Sequence, residues 1–210
     1  MKQDDMDKIY KEKPFKDIPW NFETPPAPLV DLVETGKIKP CKTIDLGCGI
    51  GNYVIYLASK GFNVTGIDLA PTAIDAAKRN AYDKGISCNF LVADVLGDLD
   101  NLPKDFDFAY DWELFHHIFP ENRQKYINNI HRLLKPDGKY LSVCFNEKDP
   151  SFGGQGKIRR TPLGTTLYFS SINELKTLFE SKFNIKEIKA IEIRGRPVSH
   201  IANYVFSERR

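Results

Sequence analysis

Neither a CxxC pair nor any regular cysteine spacing occurs in this chain. Its four cysteines, Cys41, Cys48, Cys88 and Cys144, are scattered, so neither a zinc site nor a disulfide framework is indicated, and a reducing cytoplasm suits them. No apolar run approaches the roughly 18 residues of a membrane span, and the N-terminal stretch MKQDDMDKIYKEKPF lacks the apolar segment of a secretion signal. A soluble, cytoplasmic protein is therefore expected. Net charge is nearly absent as well: 30 basic residues against 28 acidic leave +2, too balanced for a polyanion partner, so nucleic acid is not expected. Internal repeats and low-complexity linkers are also missing. A length of 210 residues then fits a single domain spanning 1–210 with one sizeable core.

What is present is an alternation of helix and strand signals from about residue 24 to the end, the pattern of a parallel sheet covered by helices. Thr24 is the expected cap of a first helix bearing Leu29, Val30, Leu32 and Val33. The expected strands are Lys42 to Leu46, Phe62 to Leu69, Cys88 to Asp94 and Phe106 to Asp111, with helices over Tyr53 to Lys60 and from Pro71. A long amphipathic helix, about Glu121 to Leu134, precedes the turn KPDG and the strand KYLSVCF. Glu147 to Thr166, rich in Gly, Pro and basic residues, reads as a long loop. The chain closes with a helix over about Ser171 to Ser181 and two strands, about Ile185 to Ile193 and His200 to Phe206. Their short connection makes them an antiparallel edge pair.

The stretch TIDLGCGIGN puts Gly47, Gly49 and Gly51 between a strand and a helix, at the sheet edge where α/β folds bind ligands. The pattern is GxGxG. A dinucleotide turn has GxGxxG, and its third glycine would fall at position 52, which is Asn. Asp68 ends the next strand, at the distance where a carboxylate accepts hydrogen bonds from both ribose hydroxyls, and Asp94 ends the third strand, where an adenine amino group can donate. Strand-end carboxylates repel a pyrophosphate but suit a cationic, phosphate-free adenosine compound such as S-adenosylmethionine.

The stretches IDLGCGIGN, VTGIDLA, LVADV and LLKPDGKYL together resemble the successive motifs of class I S-adenosylmethionine-dependent methyltransferases, over most of Thr43 to Phe145. That resemblance implies a doubly wound, Rossmann-like α/β fold with a seven-stranded, mostly parallel sheet whose last strand is antiparallel. It also implies roles: Asp45 and the backbone of Gly47, Gly49 and Gly51 hold the methionine part, Asp68 holds the ribose, and Leu69 beside it belongs to the cofactor-binding set. Asp94 with the Val95 N–H reads the adenine edge, and Asp111 and Trp112 border the methyl group and the acceptor. A narrower resemblance lies in IPWNFETPPAPLVDLV and in FAYDWELFHHIFPENRQKYINNIHRLLKPDG, which look like the thiol, halide and thiopurine methyltransferases and their tellurite-resistance relatives. In that group a Pro-Trp segment folds over the cofactor, which makes Trp20 the expected cover within residues 1–40. Plant-type members carry further upstream tryptophans where this chain has Tyr10 and Phe15. Residues 147–168 are the expected substrate loop.

His116 and His117 are adjacent, so their side chains are expected to point apart and not to chelate a metal together, although His116 can border the acceptor. No metal site is expected. No residue declares itself as a general base, and that silence favours a soft small-molecule acceptor: a thiol, a halide or a chalcogen oxyanion. The rival readings are a nicotinamide-dependent oxidoreductase, since Asp68 serves either cofactor, and a methyltransferase acting on nucleic acid or protein. A monomer or weak homodimer is expected.

Overall fold

In the computed structural model, which describes residues 3–210, seven strands form one sheet in the order β3-β2-β1-β4-β5-β9-β8. These strands are β1 (Lys42–Leu46), β2 (Asn63–Asp68), β3 (Asn89–Val92), β4 (Phe106–Trp112), β5 (Leu134–Phe145), β8 (Phe183–Ile193) and β9 (His200–Arg209). The first five run parallel, and β9 is antiparallel to both β5 and β8. This is the expected seven-stranded sheet with its last strand reversed.

The helices are α1 (Gln3–Glu12), α2 (Ala27–Glu34), α3 (Asn52–Ser59), α4 (Pro71–Asp83), α5 (Pro120–Leu133) and α6 (Ile172–Glu180). Three of the boundaries have direct chemical causes. Pro71 and Pro120 open α4 and α5, because proline's missing N–H falls among donors the first turn leaves unpaired anyway. Ser171 and Glu174 form a reciprocal capping box at α6. Two apolar layers sandwich the sheet. One joins Leu29, Leu57 and Ile74 to Phe108 and Tyr110, and the other joins Tyr126, Ile130 and Phe179 to Ala109 and Tyr140. Alternation along β4 sends Tyr110 and Asp111 to opposite layers.

Three expectations need correction. Thr24 caps nothing, since α2 starts at Ala27 behind an extended Pro26: consecutive prolines hold the chain out of helical geometry until they are passed. The N-terminal stretch, read only as polar and mixed in charge, forms α1, whose Asp7 accepts the Thr72 N–H of α4 at 2.8 Å. The loop expected over Glu147 to Thr166 contains a hairpin, β6 (Ile158–Arg160) paired with β7 (Thr166–Tyr168). Its stability comes from Arg159. That buried guanidinium lies 4.0 Å from the Phe169 ring and donates to the carbonyls of Glu147, Asp149, Ser151 and Gly156, which satisfies an otherwise irregular backbone.

Candidate active site

A cavity of about 440 Å³ opens at the carboxyl edge of the sheet. One end is built by β1, β2, β3 and the glycine turn, the other by β4, β5, β9, the turn around His116 and the tip of the β6–β7 hairpin.

At the first end the chain turns sharply after β1. Gly47, Gly49 and Gly51 have φ of 78°, 53° and 80°, the left-handed region that side chains with a Cβ avoid. Space is short as well: a Cβ at Gly51 would lie 2.7 Å from the Phe90 ring, and one at Gly49 would lie 3.1 Å from the Tyr10 hydroxyl. The turn is held from β2. Asp68, 8% exposed, accepts the N–H of Gly49 at 2.8 Å and that of Ala70 at 2.9 Å, while burial pushes its carboxyl above the ordinary range. Asp45, 3% exposed, accepts the Tyr110 hydroxyl at 2.7 Å, and burial pushes it up to about 8. Asp94 is exposed at the rim beside the buried Val95, and its carboxylate accepts the Leu96 N–H at 2.8 Å. Leu69 completes this wall.

The N-terminal segment lies over the turn. Trp20 donates from Nε1 to the Tyr10 hydroxyl at 3.0 Å, the two rings meet edge to face, and both line the cavity. Asn52, standing where a dinucleotide turn has glycine, donates to Asn21 Oδ1 at 3.1 Å and to the Phe22 carbonyl at 3.0 Å. Its side chain thus ties the segment to the start of α3.

Of the expected site residues, Trp20, Asp45, Gly47, Gly49, Asp68, Leu69, Asp94, Val95, Trp112 and His116 line the cavity. Gly51 shapes the turn behind it. Asp111 does not reach it. This carboxylate is fully buried on the other layer, where it accepts the hydroxyls of Tyr126, Tyr140 and Ser142, because β4 alternates and sends Trp112 rather than Asp111 toward the cavity. The adjacent histidines are corrected too. In the short turn Phe115–His117 their rings lie 4.7 Å apart and both line the cavity, since this turn is not the regular helix on which neighbouring side chains diverge. Burial drives His117 down to about 3 and His116 well below its usual range, so both are neutral, and neither Nδ1 has a partner.

Three residues were not read as part of the site. Glu113 follows β4 with φ of 64°, lines the cavity, and is pushed by burial up to about 8. Its one visible signal was its place at a strand end. Tyr10 was noted only as standing where plant-type relatives carry tryptophan, and His200, at the start of β9, gave no signal. Among the described residues lining the cavity four are acidic, Asp45, Asp68, Asp94 and Glu113, and Arg196 is the one lysine or arginine. Arg196 is exposed and donates to the Lys16 carbonyl. No cluster of three ligating side chains that could hold a metal occurs among the described residues, and no helix there is long and apolar enough to cross a membrane.

Residues 44–138 match the family model described as a methyltransferase domain. A 2-heptyl-1-hydroxyquinolin-4(1H)-one methyltransferase of Mycobacteroides abscessus is 33% identical over 130 residues, which is 61% of this chain and 56% of that protein. A probable thiol methyltransferase of Arabidopsis thaliana is 28% identical over 137 residues, 64% of this chain and 60% of that protein. The chain thus spans little more than half the length of these relatives. Among solved structures, one described under the conversion of a disulfide bond into a thioacetal group during echinomycin biosynthesis superimposes with a TM-score of 0.84 at 28% identity, over 99% of this chain and 92% of that one. Residues 44–138 thus match a methyltransferase domain, and the chain has the Rossmann-like fold of its methyltransferase neighbours. A thiol methyltransferase stands among its relatives, in line with the narrower resemblance of the Pro-Trp segment and the stretch after β4.

Proposed function

We propose that this chain is an enzyme that transfers a methyl group from S-adenosylmethionine to a small organic acceptor. One observation carries the reading: three carboxyl groups, Asp45, Asp68 and Asp94, stand around the glycine turn and its rim, Glu113 adds a fourth after β4, and the cavity's single arginine is already engaged by the Lys16 carbonyl and the Phe22 ring. Such a wall attracts a ligand bearing an ammonium and a sulfonium and repels a pyrophosphate, which argues against the nicotinamide alternative. Asp68 would take the ribose hydroxyls, Asp94 and the Val95 N–H the adenine edge, and Asp45 with the glycine turn the methionine part. Trp20 would cover the sulfonium, a cation–π contact worth about 0.5–2 kcal/mol. Asp111 is left out of the set, because it is spent on three hydroxyls of the opposite layer.

When bound, the cofactor supplies a methyl group on a positive sulfur, already activated for in-line displacement. The protein's part is to hold the acceptor in line and exclude water, for which proximity and orientation supply up to about 7–11 kcal/mol in favourable cases. Residues 1–40 would cover the cofactor, and residues 147–168 would flank the acceptor through the hairpin tip. Of the thiol, halide and chalcogen-oxyanion acceptors, the cavity favours the thiol. An oxyanion would be desolvated beside neutral histidines and acidic side chains without a free cation to meet it. A panel of thiols, thiopurines, iodide, selenite and tellurite, read out as S-adenosylhomocysteine formation, tests this. Turnover of an organic member supports the reading, and turnover confined to the inorganic anions overturns the choice of acceptor.

A further inference from the structure

The acceptor end of the cavity contains a histidine whose two nitrogens are treated differently. His200 is 7% exposed and opens β9, the antiparallel strand beside β5. Its Nδ1 faces two oxygens, Ser151 Oγ at 3.0 Å and Asp149 Oδ2 at 3.5 Å. Asp149 is itself buried and fixed: Oδ1 accepts the Ser151 N–H at 2.8 Å and Oδ2 the Ile201 N–H at 2.5 Å. Arg159 adds two donors, to the carbonyls of Asp149 and Ser151. The carboxylate, which can only accept, favours the proton on Nδ1 and leaves Nε2 with its lone pair, and the Ser151 hydroxyl suits that arrangement. Nε2 has no partner in the protein. Gly195 lies against this edge of the ring, and only a residue without a side chain fits there: a Cβ would lie 2.4 Å from Cδ2 and 2.7 Å from Nε2. The floor beneath is aromatic, with Phe145 at 4.7 Å and Phe152 at 5.7 Å from the imidazole, and His116 stacked on Phe145 at 4.2 Å.

Resting on the methyltransferase reading above, we infer that His200, positioned by Asp149 and Ser151, is the general base of the site, and that the site accepts flat aromatic compounds with an acidic hydroxyl. The expectation of a soft acceptor rested on having no base in view. Such an acceptor lies against Phe145 and Phe152, and its hydroxyl donates to Nε2. As transfer proceeds the O–H bond breaks and its proton passes to Nε2. The oxygen forms the bond to the methyl carbon, and the sulfur leaves with the carbon–sulfur electron pair as a neutral thioether. His200 then gives its proton to water. Asp149 offsets the imidazolium charge formed meanwhile. The other charged or titratable groups around the ring are His116 across Phe145, Arg159 behind Asp149, and Arg194 and Arg196 on the connection ahead of β9.

The test uses 4-nitrophenol, whose anion absorbs visibly, with the full-length protein saturated with S-adenosylhomocysteine. In the wild type, bound nitrophenol ionises below its free-solution midpoint, and in His200→Gln it does not. With S-adenosylmethionine instead, at a pH below the free-solution midpoint of nitrophenol, His200→Gln loses roughly 100- to 10,000-fold of nitrophenol methylation. It loses far less with 4-nitrothiophenol, which is already a thiolate. Asp149→Asn follows the same split, whereas a purely structural role would lower both substrates together. Equal ionisation of bound nitrophenol in wild type and His200→Gln overturns the assignment of His200. Failure of nitrophenol to bind the S-adenosylhomocysteine complex overturns the acceptor class. Failure of S-adenosylhomocysteine itself to bind overturns the methyltransferase reading instead.

Discussion

Asp68 Oδ2 accepts the backbone N–H of Gly49 at 2.8 Å, so the carboxylate at the end of β2 braces the glycine turn that follows β1. Its other oxygen accepts the Ala70 N–H at the start of α4. Asp68 therefore has two tasks, bracing the turn and presenting its remaining lone pairs to the cavity. Asp68→Ala should weaken cofactor binding by about 1–3 kcal/mol and also lower the melting temperature, because two backbone donors lose their partner. Calorimetry and a thermal scan on the same variant check both. Unchanged affinity with a lowered melting temperature would reduce Asp68 to the bracing role.

Trp20 and Tyr10 form one polar-aromatic unit above the turn. Trp20→Ala should speed cofactor release more than it lowers stability, since the indole is half-buried and faces the cavity. Tyr10→Phe removes only the acceptor of the Trp20 N–H and should cost about 0.5–1.5 kcal/mol of stability with a smaller effect on release. Stopped-flow dissociation of a fluorescent cofactor analogue separates the two effects. Identical release rates for wild type and Trp20→Ala would make Trp20 a packing residue.

The Asp45 carboxyl sits near 8 in the fold, against about 3.9 in an unfolded chain. Between those values the folded chain holds a proton the unfolded chain has lost. The contribution to stability is thus complete below about pH 4 and is lost as pH rises through about 8. Glu113, also near 8, acts in the same direction. Asp45→Asn keeps an acceptor for Tyr110 but removes the charge. It should therefore stabilise the ligand-free protein by about 1–3 kcal/mol at about pH 8, flatten the pH dependence, and weaken cofactor binding. A cationic ligand favours the ionised carboxyls, so wild-type affinity should rise toward pH 8 with release of protons. Melting curves and calorimetry across that range, in buffers of different ionisation enthalpy, measure both trends.

Asp111 offers the opposite separation. Its carboxylate collects three hydroxyls inside the α5–α6 layer, and burial outweighs those bonds to leave it near 7. Asp111→Ala strands Tyr126, Tyr140 and Ser142 and should cost about 3 kcal/mol or more of stability, while cofactor affinity in the folded fraction stays as in the wild type. Denaturant titration beside calorimetry decides it.

Most of the fold was legible because local chemistry dictates it. KTIDL is a strand-like stretch before glycines, and Pro71 announces a helix start. The cofactor side was legible for the same reason: each of its residues sits at the end of a strand whose position follows from the alternation of elements. The acceptor side was not. Asp111 and Trp112 differ only in which way the pleat of β4 points them, and a one-residue error in register exchanges the buried residue for the exposed one. His200 reaches the cavity only because β9 inserts beside β5, bringing it to Asp149 and Ser151, 51 and 49 residues earlier in the sequence. The hairpin inside the supposed loop depends on Arg159 finding four carbonyls, a tertiary fact without local pattern.

The central claim is that the acidic, glycine-lined end of the cavity binds a cationic adenosine compound rather than a dinucleotide. Parallel calorimetric titrations with S-adenosylmethionine and NADH test it most directly. The account predicts a single saturable site for S-adenosylmethionine, weakened in Asp68→Ala, and no heat above dilution for NADH. Saturable binding of NADH, or silence from both, would contradict it.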